Sequence, residues 1–292
     1  MKLGGKKTFV IAVAVLAALF IAVNISFSKG GTDVDKLLET FKKEYTPPKP
    51  LLPPYVQVKP GFKVGEGTPI GKIQMVQGEA LVVHTGRPFA YSLKKDFPVF
   101  TGDTLVTGKR SRVSVRLNDR SAFALAPVSK LVIDKSIYDP AKKKRSSLLS
   151  LWFGRARFVV AKIMGEKKTD YKVKTPTAVC GVRGSDFGLA VAPIEEKTSS
   201  LRNFFASLSP VSIAHAQAPG TLVTVVVAGK NTTLTFAGVT GPIQTVVPNS
   251  MCAAAAAKGA TAVTTLASSI VQGILNQIAA QLAAVSMPPG MD

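Results

Sequence analysis

The chain has 292 residues and a formal net charge of +20, from 37 lysines and arginines against 17 aspartates and glutamates. Hydrophobic residues make up 46% and aromatic residues only 7%, so the apolar content comes mainly from alanine, valine and leucine. This length can build one large core or two modest ones. The charge favours a polyanionic neighbour (nucleic acid, anionic lipid or acidic glycan) or marks a solvated basic surface, and by itself it excludes no fold.

The N-terminal segment predicts export. Three lysines lie in residues 1–8, an unbroken apolar run follows from Phe9 to Val23, and the next charge is Lys29. Residues 9–28 are therefore predicted to be a transmembrane anchor or a signal segment, with the basic tail in the cytoplasm. We favour a single-pass anchor that holds the chain on the periplasmic side of a bacterial inner membrane, whereas cleavage after Ser28 would secrete it. Either outcome removes nucleic acid as the physiological partner.

Residues 29–60 are predicted to connect this anchor to a folded domain. Their first part spaces apolar residues as one face of a short amphipathic helix does. Six prolines then occur between Thr46 and Pro60. Proline lacks a backbone N–H and cannot continue a helix or an inner strand, so this stretch is predicted to be a stiff spacer.

Residues 61–192 carry the pattern of a mainly β domain. Arg112, Ser114 and Arg116 alternate with Val113, Val115 and Leu117. The same period of two recurs after Arg155 and Arg157, and again at Lys172 and Lys174. Such alternation indicates strands with one buried and one solvated face, and the spacing of turns predicts an antiparallel sandwich-like or solenoid-like fold. Because the outward positions are often basic, one sheet face is predicted to be a basic stripe.

Three further segments follow this domain. Residues 193–219 show helical spacing and are predicted to be an amphipathic insertion, packed on the core or exposed to membrane or partner. Residues 220–250 are predicted to continue the domain as a β-hairpin around a Gly-Lys-Asn turn, followed by a strand from Ile243 to Val247. Residues 251–292 are rich in alanine and carry an apolar stripe, which predicts a C-terminal helix packing on the β domain or on another copy.

One motif is specific enough to suggest a family. It reads Thr175-Pro176-Thr177-Ala178-Val179-Cys180-Gly181-Val182-Arg183-Gly184-Ser185-Asp186-Phe187. This string resembles the signature of the FecR domain, and the motifs at 102–108 and 117–121 fit the same family in order. The resemblance spans roughly residues 70–192. It implies a non-catalytic periplasmic β domain that relays a signal or ligand between envelope proteins.

Three departures from the family limit what the resemblance implies, the first of which is Cys180, at a position that is usually small and apolar in the family. Family members that regulate iron-siderophore uptake carry a cytoplasmic anti-sigma region, but only eight residues precede the apolar run here. The anti-sigma role is therefore predicted not to transfer. Arg120 stands where the family usually has glycine, which predicts a turn that avoids positive φ.

The signature residues with predicted structural roles are Thr175, Pro176, Gly181, Val182, Arg183, Gly184 and Asp186. The two glycines permit tight turns or a close approach of the backbone. Arg183 either presents its charge to an acidic ligand or locks the strand turn by bonding carbonyls, and it is close enough in sequence to pair with Asp186. The second interpretation is favoured.

Cys180 and Cys252 are the only cysteines. In an oxidising compartment the two can persist as a disulfide, provided that the fold brings their Cα atoms close together. The alternative is two separate buried thiols that act as small hydrophobic residues.

No catalytic motif is present: there is no Gly-x-Ser-x-Gly, no P-loop and no His-Glu-x-x-His. The two histidines, His84 and His215, lie in unrelated contexts, and the aspartates of the β region lie in turns. We therefore predict no enzyme, no catalytic, cofactor or metal site, no cofactor and no small-molecule substrate. A basic run from Lys142 to Arg145 is predicted to be a solvated hairpin loop or a contact for anionic lipid or glycan.

The sequence thus predicts a binding or scaffold protein of the cell envelope. A protein partner in the periplasm is the first choice. The alternative is acidic polysaccharide or peptidoglycan, bound through a basic β face. An envelope hydrolase has no motif in its favour.

Overall fold

The computed structural model describes residues 47, 50–163, 170–182, 184–193, 222–229, 232–238, 243–255, 259–260 and 264–265. Every regular element in these ranges is a β-strand, which confirms the prediction of a mainly β fold. In the same ranges no helix is long and apolar enough to cross a membrane. The predicted anchor at 9–28 lies outside the described residues, as do the amphipathic helix after it and nearly all of the insertion at 193–219.

The strands form two sheets. In spatial order, sheet A consists of β1 (Gln57–Lys59), β4 (Phe89–Ser92), β3 (Ala80–Val83), β6 (Thr104–Thr107), β9 (Lys130–Asp139), the first part of β10 (Lys144–Val160), β11 (Asp170–Lys174), β12 (Ala178–Val182), β15 (Leu234–Gly238) and β16 (Gln244–Val246). Sheet B consists of β5 (Pro98–Val99), β2 (Gly71–Gln77), β7 (Arg112–Leu117), β8 (Ala122–Leu125), the second part of β10, β13 (Ser185–Pro193), β14 (Leu222–Ala228) and β17 (Ser250–Ala255), with β18 (Gly259–Ala260) and β19 (Thr264–Thr265) beside β17. Only the β1–β4 and β10–β11 pairs are parallel among these strands.

One long strand belongs to both sheets. The first part of β10 pairs with β9 in sheet A, and from Gly154 onward β10 pairs with β13 in sheet B. Gly154 has φ of +88°, and a Cβ on it would lie 2.5 Å from the Val128 carbonyl oxygen and also against the Ser129 hydroxyl. Since side chains rarely adopt this φ and this backbone is so close, glycine is required where β10 bends between the sheets.

The buried hydrophobic residues of the described strands form one core between the sheets. Sheet A contributes residues such as Leu131 and Phe236, and sheet B contributes Phe123, Phe158 and Phe187, whose rings pack in a row with centroids 6.1 and 5.1 Å apart. The alternating residues of β7 and β10 fill this core as the sequence pattern predicted. Two facing sheets match the sandwich-like alternative better than the solenoid-like one.

The C-terminal region corrects one prediction. Residues 250–255 form β17, an antiparallel partner of β14, so the helix predicted from residue 251 is wrong there. Cys252 and Ala254 are buried in the core. Alanine favours helices locally, but the free edge of β14 offers a row of backbone groups that β17 satisfies. From residue 266 onward the predicted helix lies outside the described residues.

The predicted hairpin at 220–250 is also corrected. Its two strands exist as β14 and β15, but β14 lies in sheet B between β13 and β17, whereas β15 lies in sheet A between β12 and β16. The turn after Ala228 therefore carries the chain from one sheet to the other. The strand predicted at 243–247 is confirmed as β16.

The proline-rich spacer ends against the domain. Residues Gln57–Lys59 form β1, which pairs in parallel with Phe89, Ala90 and Tyr91 of β4 at the edge of sheet A. An edge position suits a proline-flanked segment, because proline cannot donate to a sheet ladder. Residues 57–59 of the predicted spacer therefore form part of sheet A.

The turn at Arg120 contradicts its prediction, since Arg120 has φ of +69°. Local bonds hold the turn: the amide of Arg120 donates to the Leu117 carbonyl at 3.1 Å, and that of Leu117 donates to the Ser121 carbonyl at 2.8 Å. The Asp119 carboxylate also accepts from the Ser121 amide at 2.9 Å. These bonds outweigh the conformational cost for a side chain at positive φ.

We expect Arg120→Gly to stabilise the protein. Removing the Cβ relieves the strain at positive φ, and this gain exceeds the extra entropy of glycine in the unfolded chain, for a net of about 0.5–1 kcal/mol. Urea denaturation at constant pH measures the difference. Lys95→Gly, in an exposed turn without positive φ, is the control and should destabilise. A loss of stability in Arg120→Gly would contradict the strain argument.

Candidate functional site

A tryptophan lies exposed on the outer face of sheet A. Trp152 of β10 is 53% exposed, whereas its neighbours Leu151 and Phe153 are buried in the core. Strand alternation therefore turns Trp152 outward. Large aromatic side chains are usually well buried, so an exposed tryptophan in the middle of a sheet is a candidate contact residue.

The strand register identifies the residues around this side chain. Ser150, two positions before Trp152 on the same face, lies opposite Val132 of β9 on one side and Lys174 of β11 on the other. A bulge in the β9–β10 pairing leaves Trp152 between the pairs Leu151–Leu131 and Phe153–Lys130. We call the set Lys130, Val132, Leu148, Trp152 and Lys174 the tryptophan face.

The tryptophan face continues toward the β9–β10 turn. Ile137, opposite Ser146, is 57% exposed and adds a second exposed apolar side chain on this side of sheet A. Between Trp152 and Ile137 lie Ser150, whose hydroxyl donates to Asp134 Oδ2 at 2.5 Å, and Lys135, opposite Leu148. The surface therefore combines exposed apolar side chains with polar ones, as contact surfaces do.

The charges on this side of sheet A are mainly positive. Partial burial lowers the pKa of Lys130. Asp170 is already engaged, since it accepts from Lys172 Nζ at 2.9 Å and from Ser146 Oγ at 2.7 Å, and these bonds lower its pKa. Within the described part of the chain, no carboxylate lies at ion-pair distance from Lys130 or Lys174.

The outer face of sheet B carries a separate set of basic residues, Arg112, Arg116 and Arg157. Arg157 donates through Nε and Nη2 to the two oxygens of Asp186, at 2.8 and 2.5 Å. This carboxylate raises the pKa of Arg157. A bidentate pair of this kind holds β10 to β13 and already neutralises one of the three arginines.

The single basic stripe predicted from the alternation is therefore wrong. Lys172 and Lys174 lie on β11 in sheet A, while the arginines lie in sheet B. The cause is the bend at Gly154, which places the two parts of β10 in different sheets. Arg155 is only 4% exposed and does not contribute to a solvated face.

The threonines of the signature motif connect the two sheets. Thr175 and Thr177, between β11 and β12, place their hydroxyls 2.7 and 2.6 Å from the hydroxyl of Thr224 on β14. Thr175 Oγ1 also accepts from the Ala178 amide at 2.9 Å. This cluster closes the turn after β11 and ties it to sheet B. Pro176 lies within the same turn.

The rest of the signature packs closely. A Cβ on Gly181 would lie 2.5 Å from the Thr235 hydroxyl, and Gly184 has φ of +61°, so glycine fits both positions. Val182 is buried in the core, and Asp186 pairs with Arg157. Arg183 lies outside the described residues, so neither interpretation of it is tested. The described signature residues hold strands together.

Arg145 is a buried residue that the sequence pattern did not predict. The predicted basic run does lie at the β9–β10 turn, and its three lysines are exposed, but Arg145 itself is buried. Its Nη1 donates to Asp119 Oδ2 at 3.3 Å, to Ser121 Oγ at 3.2 Å and to the Ala161 carbonyl at 2.8 Å. No local pattern distinguishes it from the neighbouring lysines, because its partner lies 26 residues away.

A buried histidine and aspartate form a second polar pair. His84 Nδ1 lies 2.6 Å from Asp103 Oδ1, and His84 Nε2 donates to the Lys63 carbonyl at 2.8 Å. Asp103 Oδ2 accepts from the Phe100 amide at 2.8 Å. Both side chains are almost fully buried and their polar atoms are bonded within the protein, which assigns them a structural role.

No group of three His, Cys, Asp or Glu side chains in the described ranges is placed to hold a metal ion.

The β6–β13 region, which includes the tryptophan face and the signature, also resembles a known family. Residues 103–202 match the family model described as FecR protein. This segment is of the FecR type. The match confirms the FecR resemblance seen in the sequence.

Two solved structures resemble this chain. Both are of a "putative anti-sigma factor" from Parabacteroides distasonis ATCC 8503, at 2.50 and 1.65 Å resolution, with TM-scores of 0.36 and 0.37. Each is 13% identical in sequence, and the alignment covers 56% of this chain and 59% of that chain. The chain therefore spans less than two thirds of the length of those structures. No curated protein sequence matches it.

Proposed function

We propose that this protein is a non-catalytic docking domain of the bacterial envelope, which binds a protein partner through the tryptophan face and relays a signal to or from it. In this proposal residues 9–28 hold the domain at the periplasmic side of the inner membrane. The observation that carries the proposal is the exposure of Trp152 on sheet A, with Lys130 and Lys174 opposite the nearby residues Phe153 and Ser150 of the same strand. The FecR match supports an envelope relay role.

The chemistry of the tryptophan face favours an acidic protein surface with an apolar centre. Tryptophan is enriched among the residues that dominate binding energy at protein interfaces, because its large ring buries much area and loses little conformational entropy. The flanking lysines steer partners of opposite charge and disfavour basic ones. The surface also carries the apolar side chains of Val132, Leu148 and Ile137. Apolar side chains pack well against the apolar centre of a protein interface, whereas a sugar chain is bound mainly through hydrogen bonds to its hydroxyl groups.

Trp152→Ala should weaken partner binding about 30-fold or more while leaving the fold intact. Truncating a central interface aromatic costs roughly 2 kcal/mol or more of binding free energy, whereas removing an exposed side chain changes the free energy of unfolding by about 0.5 kcal/mol or less. A photo-crosslinking amino acid at position 174, in cells, captures the partner. Mass spectrometry identifies it, and titration with the purified partner measures the affinity.

Two controls make this test decisive. Tyr55→Ala removes an aromatic that is 71% exposed but lies outside the tryptophan face, and it should leave binding unchanged. A crosslinker at Arg116, on sheet B, should capture little. Equal binding by wild type and Trp152→Ala would refute the proposal, and adducts made only of glycan would favour the polysaccharide alternative. Glycan binding through lysines should also fall steeply with salt.

The proposed location has its own test. An enzyme reporter that is active only in the periplasm, fused after residue 60, should be active in cells. A matched reporter that is active only in the cytosol should be silent. The reverse pattern would place the lysines of sheet A in the cytosol and overturn the envelope proposal.

A further inference from the structure

The two cysteines lie on facing sides of the core. Cys180 is on β12 of sheet A, opposite Val173 and Phe236 on the adjacent strands. Cys252 is on β17 of sheet B, opposite Val226. Both are fully buried and belong to the same hydrophobic cluster, so both side chains point inward from opposite sheets.

The sheets come close together at this end of the sandwich. Strand β16 is followed by β17 after only residues 247–249, so the chain crosses from sheet A to sheet B in three residues. Cα atoms of β15, the neighbour of β12, lie within 8 Å of Cα atoms of β17. Burial raises the pKa of the Cys180 thiol, and the nearby Cys252 raises it further.

We propose that Cys180 and Cys252 form a disulfide that links sheet A to sheet B. An inward residue on each of two packed sheets is also how immunoglobulin domains place their inter-sheet disulfide. The pairing rests on the proposed periplasmic location, since cytosolic thiols stay reduced.

The reaction needs a two-electron oxidant. Two thiols lose two protons and two electrons as the sulfur–sulfur bond forms, and a dithiol–disulfide oxidoreductase of the envelope accepts them, its own disulfide becoming a dithiol. The thiolate is the attacking species, and burial suppresses it in the finished core. The bond therefore forms during folding, before β17 pairs with β14 and buries the Cys252 thiol.

The link would strengthen the weakest part of the sandwich. In β17 the described buried side chains are Ser250, Cys252 and Ala254, all of them small, so hydrophobic burial stabilises this strand less than it stabilises strands with larger inward residues. A crosslink between positions 180 and 252 closes a loop of about 70 residues, which restricts the unfolded chain strongly.

Full-length protein isolated from the membrane fraction of cells and denatured in iodoacetamide without reductant tests the bond. We expect an intact mass about 2 Da below the dithiol value and no alkylation, with two adducts after reduction. Two adducts before reduction would overturn the proposal. Reductant should lower the midpoint of thermal unfolding of the wild type by about 5–10 °C. The double variant Cys180→Ala, Cys252→Ala should be insensitive to reductant, and an equal shift in both would also overturn it.

A second experiment tests whether the disulfide can form, independently of where the protein is located in the cell. Purified reduced protein, unfolded and refolded in a glutathione redox buffer, should regain the same disulfide. Failure here shows that the geometry forbids the pair, whatever the compartment. If the disulfide forms on refolding but the protein isolated from cells carries two free thiols, the proposed pairing does not occur in vivo. The same result contradicts the proposed periplasmic location.

Discussion

Replacing Arg145 with alanine should lower the free energy of unfolding by about 3–5 kcal/mol. The guanidinium is fully buried and bonds Asp119, Ser121 and the carbonyl of Ala161, and its Cζ also lies 5.6 Å from the Tyr171 ring. Without it the buried Asp119 carboxylate loses its counter-ion. The fold also loses the link between the 117–121 turn and both ends of β10. Guanidinium denaturation followed by circular dichroism measures the change.

Two variants control this prediction. Lys144→Ala, at the exposed position next to Arg145, should change stability by about 0.5 kcal/mol or less. The double variant Arg145→Met, Asp119→Asn should lose less than the Arg145→Ala single variant, because it leaves no uncompensated buried charge. A cost below about 1 kcal/mol for Arg145→Ala would mean that water reaches this pair.

Gly154→Ala should cost about 3 kcal/mol or more, or prevent folding. The new Cβ imposes an unfavourable φ near +88° and meets the Val128 carbonyl oxygen at 2.5 Å. Because this group is backbone, relief requires moving the strand turn before β9 or unbending β10, and either change disrupts both sheets. The fraction of soluble protein and its urea midpoint measure the effect.

Gly67→Ala is the matched control. Gly67 has φ of +90°, almost the same as Gly154, but a Cβ added to it would meet no atom within 4 Å. This variant should cost only the conformational penalty of about 1–2 kcal/mol. The difference between the two variants isolates the contribution of the close approach at Gly154. Equal losses would show that φ alone, and not the crossing geometry, requires glycine.

The strands themselves were largely predictable. A period of two places one residue in the core and the next outside, so the buried face of β7 and of β11 could be assigned from neighbours in sequence. The sequence also showed a resemblance to a known family, through the turn motifs at 102–108 and 117–121 and the Thr-Pro signature. The family match over 103–202 confirms this resemblance.

The candidate site was not predictable to the same degree. Trp152 is one of many apolar residues in β10, and its exposure depends on the bulge opposite β9 and on its phase relative to Leu151. Likewise Arg145 follows three exposed lysines, yet its side chain turns inward to an aspartate in the turn after β7. Both outcomes depend on which partner strand lies alongside.

Sequence alone determined that the chain makes β-strands, that its opening segment is predicted to reach or cross a membrane, and which family its motifs resemble. Those properties are local, since each depends on a few consecutive side chains. Tertiary structure decided which strands share a sheet, and thereby split the basic residues between two faces, separated β14 from β15 and drew the alanine-rich β17 into sheet B. Backbone hydrogen bonds between distant strands make that choice, because a strand edge pairs with whichever segment the core brings beside it.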